Sequence, residues 1–323
     1  MGTTELIEKI GFFSPLSGVG KECGYGYAAY ELITAWQRMG IPVWAYDREA
    51  PVAFNFGQPH FYERVKGKLN IGYTPWESNH VPEAWIKYMN LMDEIWTPCE
   101  ANADWYRDAG VEVPVRVLHH GLNRNHFPLV KRVKRDDEPF KFLHIGEPAQ
   151  RKGGQMAYEV FRDVFGDRDD VHLTLKGKPR FDVEGDNVTV IRTMLDMPEL
   201  TQLHLDNHFM IYPTNGEGFG FIPFQGAATG MPTAVTNWSG PVDYMDHCYP
   251  IEVEALVEPD YIPHEGLWAL PSRESLGNWM ESFIKHPHTY FTDAYLKSQD
   301  MDAYWSWDNI AKTAVEFITD SLN

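Results

Sequence analysis

The sequence predicts an α/β protein made of two similar parallel-sheet domains. Three observations carry that expectation. Short apolar runs alternate with helix-length amphipathic stretches from end to end. The first strand, helix and second strand are joined by a crossover that suits parallel pairing. A dense charge run near the middle breaks the rhythm, and at about 150 residues per domain the 323 residues suffice for about two cores.

Ile10-Gly11-Phe12-Phe13 reads as a buried strand, followed by a loop rich in Gly, Ser and Pro from Ser14 to Gly24. Tyr25, Ala28, Ala29, Leu32, Ile33 and Trp36 then share one helical face, and Gly40 stands where a C-terminal cap would. Ile41–Tyr46, Leu69–Tyr73, Glu94–Thr97 and Val115–Leu118 read as strands, with helices at Glu83–Met92 and Ala101–Ala109. Lys131–Pro139, with a single apolar residue, is the expected linker. A second series follows: strands at Phe140–Ile145, Val171–Leu175, Val188–Ile191, Phe209–Tyr212 and Thr233–Thr236, with helices at Gly154–Phe165 and after Gly220. The last helix sets Ile310, Ala314, Phe317 and Ile318 on one stripe, with Ser306 as its N-cap. In open α/β sheets ligands lie at the carboxyl ends of strands, so the expected site is the cleft between the domains.

With 28 Lys plus Arg against 46 Asp plus Glu, the net charge of −18 argues against a large nucleic-acid footprint. Three scattered cysteines, Cys23, Cys99 and Cys248, form neither a closed disulfide framework nor a CxxC zinc pair, which suits a reducing, cytoplasmic setting. The N-terminus lacks the layout of a secretory signal, and no apolar stretch approaches the ~18 residues of a membrane span.

The first glycine loop, Ser17-Gly18-Val19-Gly20-Lys21-Glu22, lacks the glycine and hydroxyl spacing of a P-loop. Gly24-x-Gly26-x-x-Ala29, with Asp47 closing the next strand, can be drawn as a dinucleotide fingerprint, although Gly24 stands far from the strand end. The same loop also reads as a row of backbone N–H groups for a ligand, or as a plain turn.

The segment from Tyr212 to Gly230 says more. A strand ends at Tyr212, the turn Gly216-Glu217-Gly218-Phe219-Gly220 follows, and Pro223 lies in the first helical turn, where its missing N–H does no harm. Such a turn offers bare amides and a helix dipole to an anion. Glu217 is awkward beside an anion unless it accepts hydrogen bonds from hydroxyls, and a sugar phosphate supplies both groups. Arg151-Lys152-Gly153-Gly154 follows the strand Phe140–Ile145 and opens a helix, where the dipole disfavours two cations unless an anionic ligand joins them.

With these residues in view, the chain resembles the retaining nucleotide-sugar glycosyltransferases of family 4, in the glycogen-synthase and mannosyltransferase-like superfamily. The resemblance runs over nearly the whole length. It rests on Glu217-Gly218-Phe219-Gly220 running into Gln225 and Gly230-Met231-Pro232, similar to the family's two glutamates spaced by seven residues. Gly18-Val19-Gly20, Arg151-Lys152-Gly153, His120-Gly121 and Trp305-Ser306-Trp307-Asp308 add to it, and Thr74–Ser78 and Ile95–Pro98 resemble a subgroup. Two positions depart from the pattern: Gln225 stands for the second glutamate, and Asn123 stands where the family often has Asp.

The resemblance implies a GT-B fold, α/β, of two Rossmann-like parallel-sheet domains facing a central cleft. It implies an acceptor-side domain over 1–130, a nucleotide-sugar domain over 131–305 and a C-terminal helix over 306–323 packing back on the first domain. Arg151 and Lys152 would bind the donor diphosphate with Glu217 on the sugar hydroxyls, these three being the catalytic set. Gly18, Gly20, Gly218, Phe219, Gly220 and Gln225 would complete the donor site. Sugar transfer would retain configuration with no metal and no cofactor beyond the nucleotide-sugar co-substrate. Glu77, His80 and His120 are the acceptor-side candidates, for an acceptor that is a sugar, lipid-linked sugar, protein or modified nucleobase. Two other readings stay open: an NAD-dependent oxidoreductase using Gly24, Gly26 and Asp47, and a weakened transferase that only binds nucleotide or glycan.

Overall fold

The computed structural model describes residues 7–14, 24–146, 150–259 and 265–323. The chain divides into two compact units, Met1–Asn123 with Asp302–Asn323, and Arg124–Met301.

The first unit holds β1 (Ile10–Phe13), α1 (Gly24–Arg38), β2 (Val43–Ala45), β3 (Val52–Phe56), β4 (Leu69–Tyr73), α2 (Glu83–Met89), β5 (Glu94–Thr97), α3 (Glu100–Asp108) and β6 (Val115–Val117). Its six strands run parallel in the order β2-β1-β3-β4-β5-β6. Strands β1 and β3 are buried along their whole length, which is why β1 reads as an unbroken apolar run; in β3 the run is interrupted by the buried Asn55. Phe54 packs edge-on against Trp36 (5.2 Å) and Trp96 (5.5 Å) in that core. The α1 helix ends in a Schellman motif, Ile41 N–H donating to Trp36 O and Gly40 N–H to Gln37 O, both at 3.0 Å.

The second unit holds β7 (Phe140–Ile145), α4 (Gly154–Phe165), β8 (Val171–Lys176), β9 (Val188–Ile191), α5 (Met197–Asp206), β10 (Phe209–Tyr212), α6 (Phe221–Ala228), β11 (Thr233–Thr236) and β12 (Tyr249–Ile251). An antiparallel hairpin, β13 (Val253–Val257) and β14 (Trp268–Pro271), precedes α7 (Arg273–Lys285) and α8 (Pro287–Gln299). The sheet order is β12-β11-β10-β7-β8-β9, all parallel. Successive strands leave β7 in one direction and resume beside it in the other, so the order reverses between β7 and β10. Such a reversal is where open α/β sheets place their ligand sites, at the carboxyl ends of the strands.

After the short α9 (Met301–Trp305), α10 (Trp307–Leu322) packs on α1 within the first unit, with Phe317 edge-on to Trp96 at 5.4 Å. Ser306 caps α10 as expected, accepting from Asn309 N–H.

Most of the charge run is exposed, as its composition predicts, but it lies inside the second unit and one of its cations is buried. Arg132 is buried in the second unit, donating to Asn207 O (2.6 Å) and Thr229 Oγ1 (2.7 Å), and burial pulls its pKa down to about 9. With Leu205 O at 3.3 Å these make three acceptors, which outweigh the preference of the Arg132 guanidinium for water. The strand β3 was also not expected, and it stands beside β1 in the middle of its sheet.

Candidate functional site

The loops that follow β7 and β10 meet at the point of strand reversal. Arg151 O accepts from Asn215 N–H (2.7 Å) and from Thr214 Oγ1 (2.8 Å), so the two loops are joined through backbone. They approach so closely that a Cβ on Gly153 would lie 1.9 Å from Pro213 O. Gly153 (φ 72°) is the N-cap of α4 and Gly220 (φ 90°) the N-cap of α6, both in the left-handed region that glycine alone enters freely. Among the described residues no side chain caps either helix. Two helix starts, each with its first-turn N–H groups and positive dipole end, therefore adjoin one place.

Glu217 is buried between them. Its carboxylate accepts two hydrogen bonds from Lys152 Nζ (2.7 and 2.8 Å) and one from Tyr212 OH (3.1 Å). Arg151 lies 3.2 Å from its other side and also donates to Gly216 O. Burial alone would raise the Glu217 pKa, but Lys152 and Arg151 outweigh it and hold the carboxyl below its ordinary range. The side chains of Lys152 and Arg151 keep 22% and 14% of their exposure against 7% for Glu217. A ligand arriving from solvent meets the cations first and the carboxylate behind them.

The backbone of Glu217 is pinned as well. Its N–H donates to Ser239 Oγ (3.0 Å), its carbonyl accepts from Gly240 N–H (3.0 Å), and Gly220 O accepts from Tyr244 OH (2.8 Å). Below the site His144 stacks on Tyr212 (ring centroids 5.3 Å) and donates its Nδ1 proton to Ile211 O (3.0 Å). Burial drives its pKa down to about 4, so the ring is neutral. The remaining nitrogen, Nε2, lies 3.0 and 3.2 Å from where a Cβ on Gly146 and Gly154 would stand. Gln225, eight residues beyond Glu217, is also buried, and its Oε1 has no hydrogen-bond partner among the described residues.

Of the sequence candidates, Arg151, Lys152, Glu217, Gly218, Phe219, Gly220 and Gln225 belong to this unit, and its two reversal loops bring Arg151, Lys152 and Glu217 into contact. Gly18 and Gly20 lie outside the described residues. Glu77, His80 and His120 belong to the first unit. The loop carrying Glu77 and His80 is fixed by Asn102, whose side chain accepts from Trp76 N–H and donates to Trp76 O, both at 2.8 Å. His80 is exposed and Glu77 half-buried. His120 is enclosed; Tyr73 OH donates to Leu118 O (3.0 Å), so His120 Nδ1–H donates to Tyr73 Oη (3.1 Å). Burial, with His119 beside it, drops its pKa to about 3. Asn123 donates Nδ2 to both carboxylate oxygens of the buried Glu31 at 3.0 Å, which accounts for an amide where an Asp was the pattern. Gly24 and Gly26 lie inside the first turn of α1, and Asp47 pairs with Lys9 at 2.7 Å. A dinucleotide fingerprint needs its first glycine in the tight turn at the strand end, so that spacing is not realised here.

The sequence reading missed His144, Ser239, Gly240 and Tyr244. His144 looked like one more strand residue, and nothing along the chain signals that Ser239 returns to Glu217 across 22 positions. Among the described residues no three His, Cys, Asp or Glu side chains converge to hold a metal ion, and no helix is long and apolar enough to cross a membrane.

A family model described as "Family 4 Glycosyltransferase in conflict systems" matches residues 102–313. No curated protein matches the chain. Among solved structures, sucrose-phosphate synthase from Thermosynechococcus elongatus superposes with a TM-score of 0.71 at 13% identity, covering 97% of this chain and 99% of that one. Anabaena HepE in complex with UDP-glucose gives 0.71 at 12% identity, with 97% and 99% covered. An α,α-trehalose-phosphate synthase from Burkholderia vietnamiensis gives 0.64 at 8% identity, with 91% and 76% covered.

Proposed function

The chain belongs to the family 4 glycosyltransferases of conflict systems and has the GT-B fold, and from that premise we propose that it moves a sugar from a nucleotide-diphosphate donor to a hydroxyl acceptor with retention of configuration. The observation that carries the reading is the convergence of Arg151, Lys152 and two uncapped helix starts around Glu217.

Breaking the bond between sugar and diphosphate leaves negative charge on the departing phosphate and positive character on the sugar carbon. Arg151 and Lys152, with the first-turn N–H groups of α4 and α6, form a preorganised field for that phosphate. Two fixed cations and two helix dipoles supply it without calling on a metal ion. Glu217, ionised and set behind the cations, is placed to accept hydrogen bonds from hydroxyls of the transferred sugar. Gln225 Oε1 is the acceptor offered to the nucleoside ribose. UDP-glucose is the first donor to try, because HepE was solved with it. Glu77, His80 and His120 remain the acceptor-side candidates.

Gln225 also favours a second reading, a binding module with little turnover, because an amide forms a weaker bond to a hydroxyl than a carboxylate does. The test is a donor screen. The protein is incubated with UDP-, GDP-, ADP- and TDP-hexoses and the released nucleoside diphosphate is read by mass spectrometry, with Glu217→Ala as control. Release by the native protein alone supports transfer; binding without release from any donor supports the second reading.

A further inference from the structure

Ser239 has φ 56° and ψ −140°, the mirror image of extended backbone, which residues with a Cβ enter only under strain. It is buried at 3% exposure, and its hydroxyl accepts the Glu217 N–H at 3.0 Å. The next residue, Gly240, donates its N–H to Glu217 O at 3.0 Å, and a Cβ there would lie 2.5 Å from Phe219 Cα. Tyr244, four residues on, holds Gly220 O, and its ring packs against Phe219 (5.4 Å) and Phe224 (5.2 Å). One segment therefore clamps both ends of the Glu217 peptide unit and the helix start that follows.

We infer that Ser239 is a positioning residue for Glu217: its hydroxyl, carried in a strained backbone conformation, fixes where the carboxylate stands when a sugar binds. A glycine would take this conformation without strain, but it would leave the Glu217 N–H without the hydroxyl that now accepts it. Strain held at a single residue beside a charged site is explained if the hydroxyl is needed there. The inference rests on the proposed role of Glu217 at the sugar.

The test compares Ser239→Gly with Ser239→Ala. Both remove the hydroxyl, and only glycine also removes the strain, so the glycine variant is expected to melt above the alanine variant. Both are nevertheless expected to release UDP from UDP-glucose with kcat lowered about 10-fold or more and KM within about twofold, because a small misplacement at a reacting centre is costly in rate. In both, hydrogen exchange of the peptide containing Glu217 should be faster than in the native protein. A glycine variant with native kcat, or activities that simply follow the melting temperatures, would overturn the inference. If the native protein uses another of the donors screened, the same comparison is run with that one; if it releases nucleoside diphosphate from none of the UDP-, GDP-, ADP- and TDP-hexoses, the proposed function is what fails. Hydrogen exchange then decides the positioning role: faster exchange in both variants upholds it, and native protection in either overturns it.

Discussion

Lys152 Nζ lies 2.7 and 2.8 Å from the two carboxylate oxygens of Glu217, and this pair, with Arg151 3.2 Å away, joins the loops after β7 and β10 through charge. An incoming diphosphate competes with this carboxylate for the two cations. Glu217→Gln removes the competitor. The variant should bind UDP about 10-fold more tightly, the equivalent of ~1.4 kcal/mol of relieved repulsion, while sugar transfer falls about 100-fold or more. Titration calorimetry with UDP, run beside the donor assay, checks both halves; weaker UDP binding would contradict the competition.

Gly153 holds the other connection. With its Cβ 1.9 Å from Pro213 O and a left-handed φ of 72°, Gly153→Ala must push the two loops apart. A destabilisation of about 2–3 kcal/mol is expected from strain and lost contacts together, read as a lowered urea midpoint. An alanine variant with native stability would show that the loops are not packed this closely.

Asn123 and Glu31 give a prediction away from the site. Asn123→Asp would set two carboxylates about 3 Å apart with one of them buried, so one must take up a proton or the contact must open. The variant should lose about 2 kcal/mol at pH 7.5 and recover part of it near pH 5, where the shared proton is easier to hold. A variant that melts like the native protein at both pH values would contradict this.

Acid should destabilise the native protein through its buried histidines. His120, His144 and His204 have pKa values pushed down by burial to about 3, about 4 and about 4. Unfolded histidines protonate near pH 6.5, so below that pH the unfolded chain binds more protons and folding loses stability until the folded values are reached. At pH 5.5 the loss is about 1 kcal/mol per histidine. Glu217, whose folded pKa is lowered, acts in the same direction further down: its contribution is present above about pH 4.5 and is lost as pH falls through the folded value. A melting temperature that stays level between pH 7.5 and 5.5 would contradict this account.

Much of the fold was legible because its signals are local. The strand β10 shows as an unbroken apolar run at Phe209–Tyr212, β7 as a mainly apolar one at Phe140–Ile145, and the glycines after them marked the loops of the site. The Schellman end of α6, where Met231 N–H donates to Gly226 O, has the glycine such an end calls for at Gly230. The strand β3 was not found because Asn55 interrupts Val52–Phe56; its amide is satisfied by the Glu63 backbone at 2.8 and 3.2 Å, a contact with no trace in the pattern. The helix α5 carried a readable capping box, Asp196 with Glu199, that was overlooked. Arg132 defeated composition because its acceptors, Leu205, Asn207 and Thr229, are brought to it by tertiary folding. In the site, the charges and the turn were legible; the Ser239 clamp and the His144 floor were not, since both depend on how loops meet.

The most direct measurement of the central claim is UDP affinity in a variant that removes the cationic couple without stranding a buried charge. Arg151→Gln and Lys152→Gln are combined with Glu217→Gln, and UDP is titrated calorimetrically into this protein and the native one. Loss of two charge-assisted phosphate contacts should weaken binding at least about 100-fold. Equal affinity in a variant that melts cooperatively would place the diphosphate elsewhere and contradict the account.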